Sequence, residues 1–269
     1  MPSMTTLRAL FISDAHLGTR GCQAELLIDF LRWHDAETIY LVGDIIDGWR
    51  LKRSWFWPQS HNEVMQILLE KLRNGTNIVY LPGNHDEFLR DYDNTEFGDI
   101  KICNTAIHVT ATGERLLVIH GDQFDIVVRH ARWLALMGDW AYEAALLVNT
   151  YFNRARRRLG FSYWSLSAWI KGRVKNAVTF IGAYEEAVSR AARERDADGV
   201  VCGHIHQAAN HRRYGIRYLN CGDWVESCTA LGEHQDGRFE IISWTELAER
   251  VESRPGRARY RVVGGSRSA

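Results

Sequence analysis

Five short groups of acidic, amide and imidazole side chains follow one another along the 269-residue chain. They are Asp14-x-His16, Gly43-Asp44-x-x-Asp47, Gly83-Asn84-His85-Asp86, His120-Gly121-Asp122 and Gly203-His204-x-His206. Carboxylate, imidazole and amide oxygen are ligand types that divalent Mn, Fe or Zn accept. Neighbouring glycines permit the tight turns and close backbone approach that an ion site needs. The pattern therefore predicts a metal site assembled from distant segments.

Each group follows an apolar run that predicts a strand. Strands are predicted at residues 7–13, 38–42, 77–81, 116–119 and 199–202, and helices at 23–33 and 62–73. This alternation indicates βαβ units on a mainly parallel sheet, in which the carboxyl ends of the strands converge on one crevice. One such group alone could be only a turn. Core packing gives no reason to place ligand-type residues after five strands, so we expect the groups to meet in the crevice.

The later part of the chain predicts other elements. Residues 100–120 predict shorter strands, and residues 124–195 are largely compatible with helix. Further strands at 216–220, 227–231 and 238–244 have hairpin spacing, which predicts a second sheet with antiparallel strands. The expected fold class is α/β, a four-layer sandwich of two mixed β-sheets flanked by helices, with a helical lid insertion. We expect a single domain over residues 1–252, the lid at about 124–195 and a flexible tail at 253–269.

Composition narrows the classes of partner. The chain is 46% hydrophobic and 25% charged, which is typical of globular proteins. Its formal net charge is zero, so no overall positive potential attracts a nucleic acid, which argues against a nucleic-acid partner. Five scattered cysteines and no signal-peptide core predict a cytoplasmic protein. The sequence contains no run of about 18 apolar residues, so no membrane-spanning helix is predicted. Binding to a membrane surface is an alternative that the sequence leaves open. No obligate protein partner is indicated.

The five groups, in order over residues 14–206, resemble the motifs of calcineurin-like metallophosphoesterases. The resemblance implies two divalent metal ions, with Mn expected first and Fe or Zn as alternatives, that clamp a phosphoryl group and activate a water. It implies that Asp44 bridges the ions, with Asp14, His16 and His206 on one side and Asn84, His120 and His204 on the other. It also implies that His85 protonates or stabilises the leaving oxygen and that Asp47 orients His85. Asp86 and Asp122 are predicted to orient imidazoles.

A basic, aromatic-rich segment bears on the substrate. No acidic residue occurs between Glu143 and Glu185, which suits a phosphorylated amphiphile or an anionic membrane surface. A helical hairpin that merely covers the sheet, or a nucleic-acid groove, would use the same residue types. The predicted substrate-binding residues are Trp49, Arg157, Lys171 and Lys175.

The chain length, the Gly43–Trp49 run and the basic insertion resemble the UDP-2,3-diacylglucosamine pyrophosphatases of lipid A biosynthesis. This resemblance implies a peripheral enzyme of the inner membrane that releases UMP and an acylated sugar 1-phosphate. The chain departs from that branch at His85, where the branch typically carries arginine, and at Asp47, which has no equivalent there. A soluble phosphodiesterase or phosphatase of another substrate is the alternative. A non-enzymatic scaffold is the third hypothesis. The presence of all seven predicted metal ligands argues against it.

Overall fold

The computed structural model describes residues 5–124 and 181–245. The strands before residue 124 are β1 (Thr5–Ile12), β2 (His34–Val42), β3 (Asn77–Leu81), β4 (Thr95–Phe97), β5 (Ile100–Ile102), β6 (Ala106–Val109) and β7 (Arg115–Val118). The helices there are α1 (Ala24–Trp33), α2 (Gly48–Arg53) and α3 (Gln59–Arg73), with short 3-10 helices at Glu87–Tyr92 and Asp122–Phe124. After residue 180 come helix α4 (181–193) and strands β8 (Gly199–Cys202), β9 (Ala209–Arg213), β10 (Ile216–Asn220), β11 (Thr229–Glu233) and β12 (Phe239–Ser243).

The strands form two mixed sheets. In the first, of order β12-β11-β1-β2-β3-β5-β4, the central strands β1, β2, β3 and β5 run parallel. In the second, of order β6-β7-β8-β10-β9, the strands β7, β8 and β10 run parallel and both edges are antiparallel. Parallel central strands bring several carboxyl ends to the same edge of each sheet.

In the described part of the chain, three apolar clusters separate four layers. Side chains alternate between the faces of a strand, and β1 follows this rule: Leu10 and Ile12 pack with α1 and α3, whereas Ala9 and Phe11 face the second sheet. The outer face of the second sheet packs against Tyr184 of α4. The order is therefore helices, sheet, sheet and helix, which confirms the predicted sandwich.

One prediction about the sheets was wrong. Strands β11 and β12 do not belong to the second sheet, because β11 pairs antiparallel with β1, with Leu10 opposite Gly232. Hairpin spacing indicates that two strands pair with each other, and it carries no information about the sheet edge that receives them. Helix α2 was not predicted from the sequence.

Most of the predicted lid, including Arg157, Lys171 and Lys175, lies outside the described residues, as does the tail at 253–269. Residues 181–193, within the predicted lid range, are helical. Within the described ranges, no helix combines the length and apolar character that crossing a bilayer requires.

Candidate metal centre

The five groups lie on loops that follow β1, β2, β3, β7 and β8, and backbone hydrogen bonds join these loops. The Asp14 N–H donates to the Gly43 carbonyl at 3.0 Å, and the Gly203 N–H donates to the His120 carbonyl at 3.1 Å. The side chains take part as well, since the His85 N–H donates to Asp44 Oδ1 at 2.8 Å and the His204 N–H donates to Asp14 Oδ2 at 2.9 Å. The loops therefore form one connected unit.

Most predicted ligands occupy the left-handed region of backbone conformation. Positive φ values occur at Asp14 (53°), His16 (51°), Asp44 (54°), His204 (69°) and His206 (53°). This conformation costs a residue with a side chain roughly 1–2 kcal/mol. It persists where surrounding contacts hold it, and it is common at functional sites. Here it turns the chain sharply enough for consecutive segments to point side chains into one space.

The glycines of the motifs are required by contact distance. A Cβ atom added at Gly83 would lie 2.2 Å from Asp44 Oδ1, and one added at Gly43 would lie 2.3 Å from the His120 ring. Both distances are far below any real contact. These positions therefore allow the ligand side chains to approach the backbone of a neighbouring loop.

The first ligand group consists of Asp14, His16 and His206. One possible ligand atom from each lies within 4.8 Å of the others. His206 Nε2 is 3.2 Å from Asp14 Oδ1. Asp14 Oδ2 is occupied by the N–H of His204 at 2.9 Å, which leaves Oδ1 directed at the group.

The second ligand group consists of Asp44, His120 and His204, also with ligand atoms within 4.8 Å of one another. Asp44 Oδ2 is 3.4 Å from His120 Nε2. His120 Nδ1 lies 2.9 Å from the Val42 carbonyl, which only accepts, so Nδ1 carries the hydrogen and Nε2 faces the group.

Asp44, a member of the second group, also approaches the first. Its Oδ2 atom is 3.4 Å from His120 of the second group and 3.9 Å from His16 Nε2 of the first. The position of this oxygen fits a carboxylate shared by two cations.

Several predicted ligand atoms are buried and make no hydrogen bond within the described residues: Asp14 Oδ1, Asn84 Oδ1 and His120 Nε2. A buried polar atom without a partner is rare and costly. Divalent cations bind such oxygen and nitrogen atoms directly. The donor set, including Asn84, therefore fits metal ions.

The electrostatics of these side chains agree with this fit. Burial alone would raise the pKa values of Asp14 and Asp44, but the imidazoles of His206 and His120 outweigh it and lower both. Burial alone would lower the pKa of His120, but Asp44 and Asp14 outweigh it and raise that pKa to about 10. The site thus strongly attracts positive charge, which bound metal ions would supply.

His85 lies beside the ligand groups. Its Nδ1 atom is 3.0 Å from Asp47 Oδ2, at ion-pair distance, and its Nε2 atom is 4.0 Å from Asp44 Oδ2. Its ring packs 4.5 Å from that of Trp49, centroid to centroid, and 27% of the side chain is exposed. Burial opposes the charged form, but Asp47 outweighs it and raises the pKa of His85. An imidazole so placed can meet a substrate and deliver a proton.

Asp47 contacts three partners. Besides His85, its Oδ2 atom lies 3.5 Å from His16 Nδ1. Its Oδ1 atom accepts a hydrogen bond from the Arg50 N–H at 2.8 Å, which caps the start of α2. Ligand atoms of His16, Asp47 and His85 also lie within 4.8 Å of one another. One carboxylate thus faces a predicted ligand and the predicted catalytic histidine.

Trp49 lies at the surface next to this pair, with 46% of the residue exposed. Its indole N–H donates to Glu87 Oε1 at 3.0 Å. Of the predicted substrate-binding residues, it is the one that falls within the described part of the chain.

The predicted roles of Asp86 and Asp122 were wrong. Asp86 accepts hydrogen bonds from backbone N–H groups and from the Tyr80 hydroxyl. Asp122 instead pairs with Arg90, at 2.7 and 2.8 Å. A backbone carbonyl orients His120, and sequence motifs do not reveal backbone partners.

Two supporting side chains were missed. The hydroxyl of the buried Tyr184 lies between the carbonyls of His120 and Gly203, at 3.5 and 3.4 Å. The Asn220 amide donates to the Gly203 carbonyl at 2.9 Å. Both act on backbone atoms, and neither lies in a motif.

A four-layer sandwich that gathers carboxylates and imidazoles at the carboxyl ends of its strands has the architecture of a metallophosphoesterase. A family model described as calcineurin-like phosphoesterase matches residues 7–208. The chain belongs to this family and is a phosphoester-hydrolysing enzyme. Enzymes of this family use divalent metal ions, in keeping with the two ligand groups.

Several relatives share the name UDP-2,3-diacylglucosamine hydrolase, and two of them illustrate the similarity. The one from Porphyromonas gingivalis is 30% identical over 120 residues, which span 42% of this chain and 45% of that relative. The one from Aromatoleum aromaticum is 26% identical over 223 residues, or 81% of this chain and 88% of that relative. Among solved structures, an archaeal phosphodiesterase is 14% identical with a TM-score of 0.42, covering 87% of this chain and 98% of that one.

Proposed function

We propose that the chain is a two-metal hydrolase that cleaves the pyrophosphate of an acylated sugar nucleotide, UDP-2,3-diacylglucosamine. The observation that carries the two-metal proposal is the pair of adjacent ligand groups with Asp44 Oδ2 between them. Asp14, His16 and His206 would hold one ion, with Asp44 shared, and Asn84, His120 and His204 would complete the other. Manganese is the proposed metal.

When bound, such ions polarise a phosphoryl group and lower the pKa of a bound water, which is the chemistry that the reaction needs. Addition of water to one phosphorus breaks the bridging P–O bond and gives UMP and an acylated sugar 1-phosphate. His85 faces the site through Nε2 and would stabilise or protonate the leaving oxygen, while Asp47 holds its Nδ1 side. Asp47 and His85 thus act as a proton-handling pair beside the ligands.

The proposed substrate is supported by the names of the relatives and by residues near the site. Trp49 offers an exposed apolar ring beside His85. The last turn of α2 adds the positive charges of Arg50, Lys52 and Arg53, which suit an anionic substrate. Arg157, Lys171 and Lys175 are also proposed to contact the substrate. An acylated substrate would place the enzyme at the inner face of the membrane.

The test is release of UMP from UDP-2,3-diacylglucosamine by the purified full-length protein with Mn²⁺, alongside hydrolysis of the small diester bis(p-nitrophenyl) phosphate. Asp44→Asn should abolish both activities. The triple variant Arg157→Ala, Lys171→Ala, Lys175→Ala should lose UMP release and keep diester hydrolysis. Absence of UMP release at every Mn²⁺ concentration, with the diester still cleaved, would refute this substrate and leave the two-metal chemistry standing.

A second candidate is a phosphodiesterase or phosphatase acting on a smaller substrate. The observation that favours it is the His85–Asp47 contact of 3.0 Å, because that pair is where the chain departs from the lipid-linked branch. In this case small phosphodiesters should turn over fast, the triple variant should be fully active, and His85→Ala should slow the reaction by about 100-fold or more.

A further inference from the structure

Asp86 is fully buried, and all of its described hydrogen-bond partners are donors. Oδ1 accepts from the N–H groups of Gly83 (2.5 Å) and Asp44 (3.2 Å), and Oδ2 accepts from the N–H groups of Ile45 (2.9 Å) and Ile46 (3.4 Å) and from the Tyr80 hydroxyl (2.6 Å). Both oxygens are therefore used as acceptors, and neither is directed at a ligand imidazole.

These donors come from two different segments of the chain. Three successive N–H groups belong to the loop after β2, which carries Asp44, and the remaining donors belong to β3 and the loop after it, which carries Asn84. Gly83 allows the loops to come this close, since a Cβ there would meet the Asp44 carboxylate. One carboxylate thus fastens two ligand-bearing loops together.

The contact with Asp44 has a second consequence. Asp44 has a φ of 54°, a conformation that a residue with a side chain adopts only when neighbouring contacts hold it. The hydrogen bonds from residues 44–46 to Asp86 are such contacts. They fix the backbone from which the Asp44 side chain reaches both ligand groups.

We infer that Asp86 is a positioning residue for metal binding: it orients Asp44 through the backbone without touching ion or substrate. The inference rests on the proposed function, in which Asp44 is shared by the two ions. Residues that orient metal ligands typically contribute 10–100-fold to metal affinity or activity. The variant Asp86→Asn keeps the shape of the side chain but turns an amide group toward N–H donors, so at least one donor loses its acceptor.

The experiment is calorimetric titration of Mn²⁺ into chelator-treated full-length protein, with kcat and KM for bis(p-nitrophenyl) phosphate measured in parallel. We expect Asp86→Asn to raise the Kd for Mn²⁺ by about 10–100-fold. The KM for the diester should stay near the wild-type value, and kcat should recover in part as Mn²⁺ is raised. Tyr80→Phe, which removes one of the donors, should give a smaller shift of the Kd in the same direction.

The control is Glu233→Gln, the same change of carboxylate to amide at a fully buried acceptor between the sheets, away from the ligand loops. It should lower stability and leave the Kd for Mn²⁺ unchanged. A wild-type Kd in Asp86→Asn, or an equal shift in Glu233→Gln, would overturn the inference. If Asp86→Asn does not fold, Tyr80→Phe decides, and a wild-type Kd in it overturns the inference. Failure of the wild-type protein itself to bind Mn²⁺ would instead contradict the proposed function.

Discussion

Asp47 combines a structural and a chemical contact, and two substitutions separate them. Its Oδ1 atom caps helix α2 through the Arg50 N–H, and its Oδ2 atom faces His85 at 3.0 Å and His16 at 3.5 Å. Asp47→Ala removes both contacts. Asp47→Asn retains a good capping residue and removes the negative charge that faces the imidazoles.

The two variants should therefore differ in stability and agree in activity. Loss of an N-cap costs about 0.5–2 kcal/mol, and 1 kcal/mol lowers the Tm of a protein of this size by roughly 2–4 °C. Asp47→Ala should show this loss, whereas Asp47→Asn should unfold close to the wild-type temperature. Both should lower kcat by about 100-fold, because a positioned proton donor typically contributes that much or more.

The assay is hydrolysis of an alkyl phosphodiester, whose leaving alcohol needs a proton, at saturating Mn²⁺. Tm is measured by calorimetry, and the assay is repeated in a His85→Ala background. If Asp47 acts through His85, removing its charge should have little further effect on kcat in that background. Multiplication of the two single effects in the double variant would refute the coupling. A residual effect on Mn²⁺ affinity would report the contact with His16.

Three other substitutions test contacts that stabilise the site or the fold. Gly83→Ala places a Cβ 2.2 Å from the Asp44 carboxylate, so the amount of bound metal measured by elemental analysis should fall sharply. Gly21→Ala, whose Cβ meets nothing nearer than 3.4 Å, should keep its metal. Burial lowers the pKa of His61 in the folded protein, where its Nδ1 accepts a hydrogen bond from the Gly18 N–H. As the pH falls below about 6.5, this imidazole is therefore protonated more readily in the unfolded chain than in the folded protein, and the free energy of unfolding decreases. His61→Asn should therefore lose less stability than the wild type between pH 7 and pH 5 in urea unfolding, and equal losses would contradict this reasoning. Glu233→Gln should destabilise the fold by about 2 kcal/mol in the same measurement, since it removes the charge from a buried acceptor.

The sequence predicts the central strands well because their apolar runs end at ligand-type residues. The bounds of β3, β8 and β10 agree with the predicted ranges. Strand β2 begins at His34, four residues before the predicted start at 38. The prediction started late because the first residues of the strand include Asp35 and Glu37 and therefore do not form an apolar run. The Asp35 carboxylate is paired there with the buried Lys71, a long-range contact that no local pattern reveals.

The convergence of the predicted ligand residues follows from strand order, whereas the contacts that hold them in place could not be predicted. Asp86 binds mainly backbone N–H groups, and a backbone carbonyl orients His120. Motifs made of side chains cannot predict such backbone partners. The assignment of β11 to the first sheet likewise depends on pairing with β1, more than 200 residues away in sequence. Motifs therefore identify what converges on the site, and only the fold shows what fixes it.

The His85–Asp47 pair also bears on the leaving group. An imidazole held by a carboxylate can give up a proton, whereas a guanidinium, the group implied at this position in the lipid-linked branch, stays charged at all physiological pH values. A leaving phosphate needs charge stabilisation more than a proton, but a leaving alcohol needs the proton. If His85 donates that proton, His85→Ala should slow the hydrolysis of alkyl phosphodiesters far more than that of nitrophenyl diesters, whose leaving groups are much stronger acids. An equal loss on both classes would mean that His85 acts through its charge, as arginine would, and would remove the main reason for preferring a smaller diester over the pyrophosphate.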